Sequence, residues 1–228
     1  MIQLVYTHDD FYIVSKPANV GFHDEQGVSK GFFNQCCEHF SEQLYPVHRL
    51  DKITSGLIIL ARNQQATTWF QQAFENRQVS KLYLALSSAK PKKKQGSVIG
   101  DMTKSRNSQW KLTKSKQNPA VTRFLSWGIE NPELKGLRLF LVKPETGKTH
   151  QIRVALKSLG SPIVGDSLYG GADADRGYLH AFGLSFQYQD ELIELYKAPE
   201  QGDWFNKFAS VIANMTEDGF SNNWPGGK

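Results

Sequence analysis

One stretch restricts the fold of this 228-residue chain more than any other: Val47-His48-Arg49-Leu50-Asp51-Lys52-Ile53-Thr54-Ser55-Gly56-Leu57-Ile58-Ile59-Leu60-Ala61. The apolar run from Leu57 to Ala61 has the length and β-branched content of a buried strand. The polar residues ahead of it form a loop that enters the strand. Asp51 therefore rides on a loop fixed by a rigid element, which presents a reactive side chain without burying the loop's own backbone.

The rest of the chain reads as elements around that loop. Leu4-Val5-Tyr6 and Phe11-Tyr12-Ile13-Val14, separated by His8-Asp9-Asp10, predict an opening hairpin that Lys16-Pro17 ends. Val28, Phe32, Phe33, Cys36 and Phe40 fall near helical spacing, so the adjacent Cys36 and Cys37 read as part of a packed helix face rather than a redox or zinc site. Asn63 is a suitable N-cap for a helix whose Ala66, Trp69, Phe70, Ala73 and Phe74 recur at core spacing. Lys81 to Leu86 alternates, which places Leu82, Leu84 and Leu86 on one strand face and Tyr83 with Ala85 on the other. If the leucines face the core, Tyr83 faces a cleft or solvent.

Leu137 to Val142 reads as another buried strand. Thr149 to Leu159 reads as a helix with Ile152, Leu156 and Leu159 on one face and His150, Arg153 and Lys157 on another, ended by Gly160. Gly147-Lys148-Thr149 at its start offers backbone N–H groups to an anion. Leu179 to Tyr188 and Glu191 to Tyr196 predict a hairpin, Trp204 to Ile212 a short apolar helix, and Ser221 to Lys228 a frayed tail.

Charge is distributed unevenly. The net charge is +5, yet between Arg77 and Arg123 there are twelve Lys or Arg and a single acid, Asp101. Such a local excess is the footprint of a nucleic-acid binder or, more blandly, a solvated basic face. Within it, about 90–118 reads as an insertion-like loop or hairpin rather than core. Its Lys92, Lys93, Lys94, Lys104 and Arg106, with Trp110 among them, suit a phosphate backbone and an unstacked base. No apolar run approaches the length of a membrane span and the N-terminal residues lack a signal-peptide layout, so a cytoplasmic protein is expected.

The stretch around Asp51 resembles the HRLD-x-x-T-S-G-L signature of the RluA-type pseudouridine synthases. Gly147-Lys148-Thr149-His150-Gln151-Ile152-Arg153-Val154 resembles that family's G-R-T-H-Q-I-R-V motif, and Gly160-Ser161-Pro162-Ile163-Val164-Gly165-Asp166 its G-x-P-I-x-G-D motif. Lys16-Pro17, Lys81-Leu82-Tyr83 and Leu179-His180-Ala181 are smaller matches in the expected order. The resemblance implies an α+β fold: a mixed, mostly antiparallel bent sheet flanked by helices, with a central catalytic cleft. It implies one catalytic domain over 1–228 with no separate N-terminal RNA-binding domain, expected to act as a monomer. It also implies isomerisation of uridine in ribosomal or transfer RNA, with Asp51 as the catalytic carboxylate, Arg153 as its basic partner and Tyr83 stacked on the target uracil. Arg49 matches an arginine that enters the RNA stack where the uridine has left, and His48 and Lys148 belong with the RNA contacts. Gly21 follows Pro17 later than the family's glycine does, so nothing catalytic is assigned to Lys16-Pro17. Lys148 replaces a common arginine, and Ala155 a common histidine.

The implied reaction breaks the bond from the sugar to a ring nitrogen, turns the uracil, and joins the same sugar carbon to a ring carbon. It is redox-neutral and needs no cofactor. One ionised carboxylate, kept so by a nearby cation, can serve as nucleophile at the sugar or base, or remove a sugar proton, in a site that excludes water. Three other readings compete. Sugar hydrolases pair two acids, and no second acid lies near Asp51 in the sequence or within the second motif. His48 and His150 lack the spacing of metal ligands, so no metal is expected. A non-catalytic RNA-binding or RNA-remodelling protein, with Asp51 merely structural, fits the charge equally well.

Overall fold

The computed structural model describes residues 2–25, 27, 29–131 and 135–226. In chain order the elements are the hairpin β1 (Gln3–Thr7) and β2 (Phe11–Lys16), α1 (Phe32–Phe40), the short β3 (Tyr45–Pro46), β4 (Thr54–Ala61), α2 (Gln64–Glu75) and β5 (Ser80–Ser87). Then come β6 (Gln95–Gly100), a small hairpin of β7 (Met102–Lys104) and β8 (Trp110–Leu112), β9 (Ala120–Gly128), β10 (Arg138–Pro144), α3 (Gln151–Ser158) and a 3-10 turn at Ser167–Tyr169. The hairpin of β11 (Leu179–Tyr188) and β12 (Glu191–Tyr196) and the short helices α4 (Asp203–Lys207) and α5 (Ala209–Met215) follow.

One ten-stranded sheet runs in the order β1-β2-β4-β11-β5-β10-β9-β6, with β12 added to β11 and β3 to β4. Every pairing is antiparallel except β4 with β11, where Thr54, Ser55 and Gly56 lie parallel to Leu179, His180 and Ala181. This is the mixed, mostly antiparallel α+β architecture expected.

β4 starts at Thr54, three residues ahead of its apolar run, because the partner that makes Thr54 and Ser55 extended is more than a hundred residues away in sequence. Gly56 is required at that junction. Its φ is +107°, and a Cβ there would lie 2.3 Å from the Ala181 carbonyl oxygen, so no other residue lets the two strands approach. All eight residues of β4 are buried. Leu57, Ile59 and Ala61 pack with Phe70 and Ala73 of α2 on one side, and Ile58 and Leu60 with Phe32 and Cys36 of α1 on the other. Removing a buried side chain of this kind costs about 2–5 kcal/mol.

The caps and periodicities behave as the residues dictate. Asn63 accepts the Ala66 N–H at 2.8 Å and starts α2. α1 begins at Phe32, and Val28 lies outside the described residues. Burial pushes the Cys36 thiol up to about 12, as suits a packing residue.

Two expectations are corrected. Residues 95–100 are not an inserted loop: they form β6, an edge strand of the main sheet whose Val98 packs with Phe124 and Leu125. Its outward Gln95, Ser97 and Ile99 are what lower the apolar content. Only the segment around β7 and β8 stands off the sheet. Nor is the tail frayed over 221–226: Trp224 is buried against the β9 and β10 core, and the Pro225 carbonyl accepts the Arg123 Nη1–H at 2.9 Å and the Ser97 hydroxyl at 3.4 Å. Gly227 and Lys228 lie outside the described residues.

Candidate active site

Leu50 is buried and anchors the residue before Asp51, and the Thr54 N–H closes the turn onto the Asp51 carbonyl at 3.0 Å. Behind the loop lies Lys16, the last residue of β2, with no solvent exposure. Its ammonium donates to the carbonyls of Pro17 (2.8 Å), Val20 (2.7 Å) and Lys52 (3.4 Å). Burial, reinforced by nearby Arg176 and partly offset by Asp51, draws the lysine down to about 7. Lys16-Pro17, given no task by the sequence, thus ties the chain entering the cleft to the loop carrying Asp51.

Arg153 sits in the first turn of α3, whose start is set by Gln151: the buried amide accepts from the Lys148 N–H (3.0 Å) and the Thr146 hydroxyl (2.7 Å). The Lys148 N–H expected to face an anion is therefore already taken. Arg153 is 5% exposed. Its Nε and Nη2 donate to the two oxygens of Asp166 at 2.7 and 2.8 Å, and its Nη1 reaches Asp51 Oδ2 at 3.3 Å. Burial pulls the guanidinium pKa down, but the bonds to Asp166 and the charges of Asp166 and Asp51 outweigh it and leave the pKa raised. Asp166 is thus the second acid that reading along the chain did not bring near Asp51. Locked into a bidentate pair and 1% exposed, it holds the arginine and offers no free proton to a leaving group. Gly165 makes the turn before it feasible, since a Cβ there would sit 1.8 Å from the Arg176 carbonyl oxygen.

These residues open into a cleft of about 340 Å³ whose walls include Asp51, Tyr83, Arg153, Lys81 and His150. Tyr83 of β5 lies between Leu82 and Leu84, which are fully buried, so the alternation directs its phenol to the cleft. Burial and then the Asp51 charge raise its pKa, which keeps the phenol neutral. Lys81, two residues earlier on the same face, has its ammonium 5.2 Å above the Phe74 ring and is lowered to about 8 by burial. No acid pairs with it among the described residues. The sequence named the KLY match but gave Lys81 no role; an unpaired cation in a cleft is a signal visible only once the walls are assembled.

The expected RNA contacts divide. Arg49 is exposed on the cleft rim. Lys148 Nζ bonds Asn118 Oδ1 at 2.8 Å, beside the same rim. His48, placed among the RNA contacts, lines the cleft and also braces the fold: its Nε2 accepts the Ile59 N–H at 2.8 Å, and burial, with a smaller effect of Lys81, pushes it down to about 3, so the ring is neutral. The five arm residues are all exposed but do not form one patch. Lys92 bonds the Leu159 carbonyl past the C-terminal end of α3, whereas the cleft lies at its N-terminal end. An eight-residue helix puts about 12 Å between them. Lys104 and Arg106 belong to the β7–β8 hairpin. That hairpin docks on the turn after Asp166: Gln109 donates to the Leu168 carbonyl at 2.7 Å, and the Trp110 N–H to Tyr169 Oη at 2.9 Å. Tyr169, unnoticed in the sequence, also bonds His150 Nδ1 at 2.9 Å, and its ring lies 4.9 Å from the Arg153 guanidinium carbon.

The cleft thus holds a buried arginine shared between a fixed acid and a partly exposed one, beside a tyrosine and among several cations. Comparison with known proteins identifies the family. A family model for RNA pseudouridylate synthases matches residues 10–158. An uncharacterized RNA pseudouridine synthase of Haemophilus influenzae is 48% identical over 211 residues, covering 90% of this chain and 91% of that one. The ribosomal large subunit pseudouridine synthase C of Rickettsia bellii is 36% identical over 176 residues, 73% of this chain and 56% of that protein. Among solved structures, human RNA pseudouridylate synthase domain containing 1 superposes with a TM-score of 0.75 at 26% identity, over 87% of this chain and 84% of that one. The chain belongs to the RNA pseudouridylate synthase family. It is an isomerase of uridine in RNA.

Proposed function

We propose that Asp51 is the carboxylate that carries the isomerisation, with Arg153 fixing its position and charge, Tyr83 stacking on the target uracil, and Arg49, Lys148 and the hairpin residues Lys104 and Arg106 contacting RNA outside the base pocket. The observation that carries this is the chain Asp51–Arg153–Asp166 in the wall that also holds Tyr83. Arg153 spends its Nε and Nη2 on Asp166 and keeps Nη1 for Asp51, so one oxygen of Asp51 is oriented while the other stays free for the substrate. As the bond between C1′ and N1 breaks, its electron pair leaves with the uracil. The base turns over Tyr83, C5 bonds to C1′, the C5 proton is lost and N1 gains one. The half-buried walls limit the water that would otherwise trap the sugar carbon.

The substrate is ribosomal or transfer RNA, the ribosomal choice being supported by the name of the Rickettsia relative. The protein acts as one catalytic domain, as a monomer, in the cytoplasm; no helix among the described residues is long and apolar enough to cross a membrane. Asp51→Asn keeps size and removes the charge. It should abolish turnover while RNA affinity stays within a few fold, read by tritium release from RNA labelled at uridine C5 and by filter binding. Near-normal release would overturn the assignment. Comparing pseudouridine maps of RNA from cells with and without the gene identifies the target.

A further inference from the structure

His150 is a cleft residue to which the family motif gives no task. It precedes α3 with a left-handed backbone, φ +57°, a conformation that a residue other than glycine keeps only where its surroundings impose it. Its imidazole lines the cleft with Asp51 and Tyr83 and is half-buried.

Hydrogen-bond bookkeeping fixes which ring nitrogen carries the proton. Tyr169 is 2% exposed. Its Oη already accepts the Trp110 N–H at 2.9 Å and lies 2.9 Å from His150 Nδ1. Were Nδ1 to donate, the phenol's own hydrogen would be buried with no acceptor among the described residues. If instead Oη donates to Nδ1, both groups are satisfied. The proton of the neutral ring then sits on Nε2, which has no partner among the described residues. The neutral ring is favoured: burial lowers its pKa, Arg153 and Arg49 add to this, and the opposing pulls of Asp51 and Asp166 do not reverse the direction. The β7–β8 hairpin, through Trp110 and Tyr169, thereby sets the donor that His150 offers to the cleft.

We propose that His150 reads the target base, its Nε2–H donating to an exocyclic carbonyl oxygen of the uracil that lies against Tyr83. This rests on the reading of the cleft given above. A neutral donor suits a carbonyl, whereas a phosphate would settle on the cations of the same rim, Arg49, Lys81 and Lys148. When the C1′–N1 bond breaks, the electron pair that leaves with the base spreads onto its ring nitrogens and O2 and O4. A donor already aimed at one of those oxygens binds the departing base more strongly than the intact nucleotide. Being uncharged, it does so without an ion pair that would hinder the base from turning.

The test has two parts. In the free protein, ¹⁵N NMR of the imidazoles should find His150 protonated at Nε2 and bare at Nδ1, and Tyr169→Phe should mix the two tautomers. With the uridine located by mapping, His150→Phe, which keeps a ring but has no donor, should lower the single-turnover rate at saturating RNA about 100-fold, while His150→Gln, which keeps an N–H, should lose far less. RNA affinity should change less than threefold in each. Placing 2-thiouridine or 4-thiouridine at the target weakens one acceptor at a time: one of the two should slow wild type, and the same replacement should cost nothing further in His150→Phe. Wild-type rates for His150→Phe, or thio effects unchanged by it, would overturn the proposal. Should His150→Phe fail to bind RNA, Tyr169→Phe must still slow turnover and blunt the thio effect, or the proposal falls. Asp51→Asn runs in parallel: if it is dead while His150→Phe is fully active, only the base-reading role is lost, and if it is active the reading of the cleft fails with it.

Discussion

Where β4 and β11 run parallel, the sheet presents two unlike faces one residue apart. Thr54 and Leu179 face the catalytic cleft; Ser55 and His180 face a second cavity behind it, where Lys16 and Arg176 lie buried. In front, the buried cation is Arg153, clamped by Asp166 and shared with Asp51. Behind, neither cation has a carboxylate partner among the described residues. Arg176 instead donates to the carbonyls of Gly177, Leu179 and Gln201 and to the Ser55 hydroxyl, which bonds His180 Nδ1 at 2.7 Å. The front face therefore matches its guanidinium with two carboxylates, one buried and one partly exposed to the cleft. The rear face ties loops together with dipoles and pushes its cations toward neutrality, Lys16 to about 7 and Arg176 to about 10, chiefly through burial. The two buried guanidinium groups thus differ in partner, Arg153 being matched to carboxylates and Arg176 to neutral oxygens.

The sharpest way to break this contrast is Asp166→Ala. It leaves Arg153 buried without its fixed partner, which should cost about 3–5 kcal/mol of stability in denaturant titrations and remove most turnover, because Arg153 would then swing toward Asp51 and neutralise it. A fully active Asp166→Ala protein would mean that the front pair is merely structural. Arg176→Gln should cost stability too, about 1–3 kcal/mol from carbonyls left unmatched, but turnover at saturating RNA should persist within about tenfold below the melting transition. If it does not, the rear network is part of the chemistry.

Acid and base should sharpen the comparison further. Lys16 has a folded pKa near 7 against an ordinary 10.5, so between those values the unfolded chain holds a proton that the native state has shed. Stability contributed by this group accordingly rises with pH from about 7 to 10.5, and Lys16→Met should flatten that limb of a melting profile. His48 and His180, pushed by burial to about 3 and about 4, act in the acid range: below 6.5 the unfolded chain gains protons that the native rings refuse, so stability falls as pH drops. The smallest effect expected is at the surface. Replacing Lys104 and Arg106 by Gln should reduce the log–log salt slope of RNA binding by roughly 0.7–0.9 per lost phosphate contact, and replacing Lys92, Lys93 and Lys94 by less, since they lie past the far end of α3. Equal slopes for the two variants would restore a single arm.

Legibility in the sequence followed the range of the forces involved. The Asn63 cap, the stripe of Phe70 and Ala73, the alternation that turns Tyr83 to the cleft and the β11–β12 hairpin are set by neighbours along the chain, and local pattern found them. Asp51, Arg153 and Tyr83 were named by motif, and all three line one cleft. Missed were residues whose role is made by distant partners. Lys16 looks like any strand-end lysine until the carbonyls of Val20 and Lys52 surround it. Ser97 reads as part of a loop and Arg123 only as part of the basic stretch until the Pro225 carbonyl accepts from both. Tyr169 reads as a turn aromatic until β8 and α3 meet over it.

The parallel contact between β4 and β11 also orders events in time. Ser55 and His180 are 125 residues apart, so at about 5–20 residues per second a ribosome takes roughly 6–25 s between making one and the other. During that interval the Asp51 loop exists without the strand that pairs with Thr54–Gly56, and for most of it without Arg153 as well. A nascent chain therefore has no assembled cleft until β11 has emerged, and a message broken before that point yields a fragment without it.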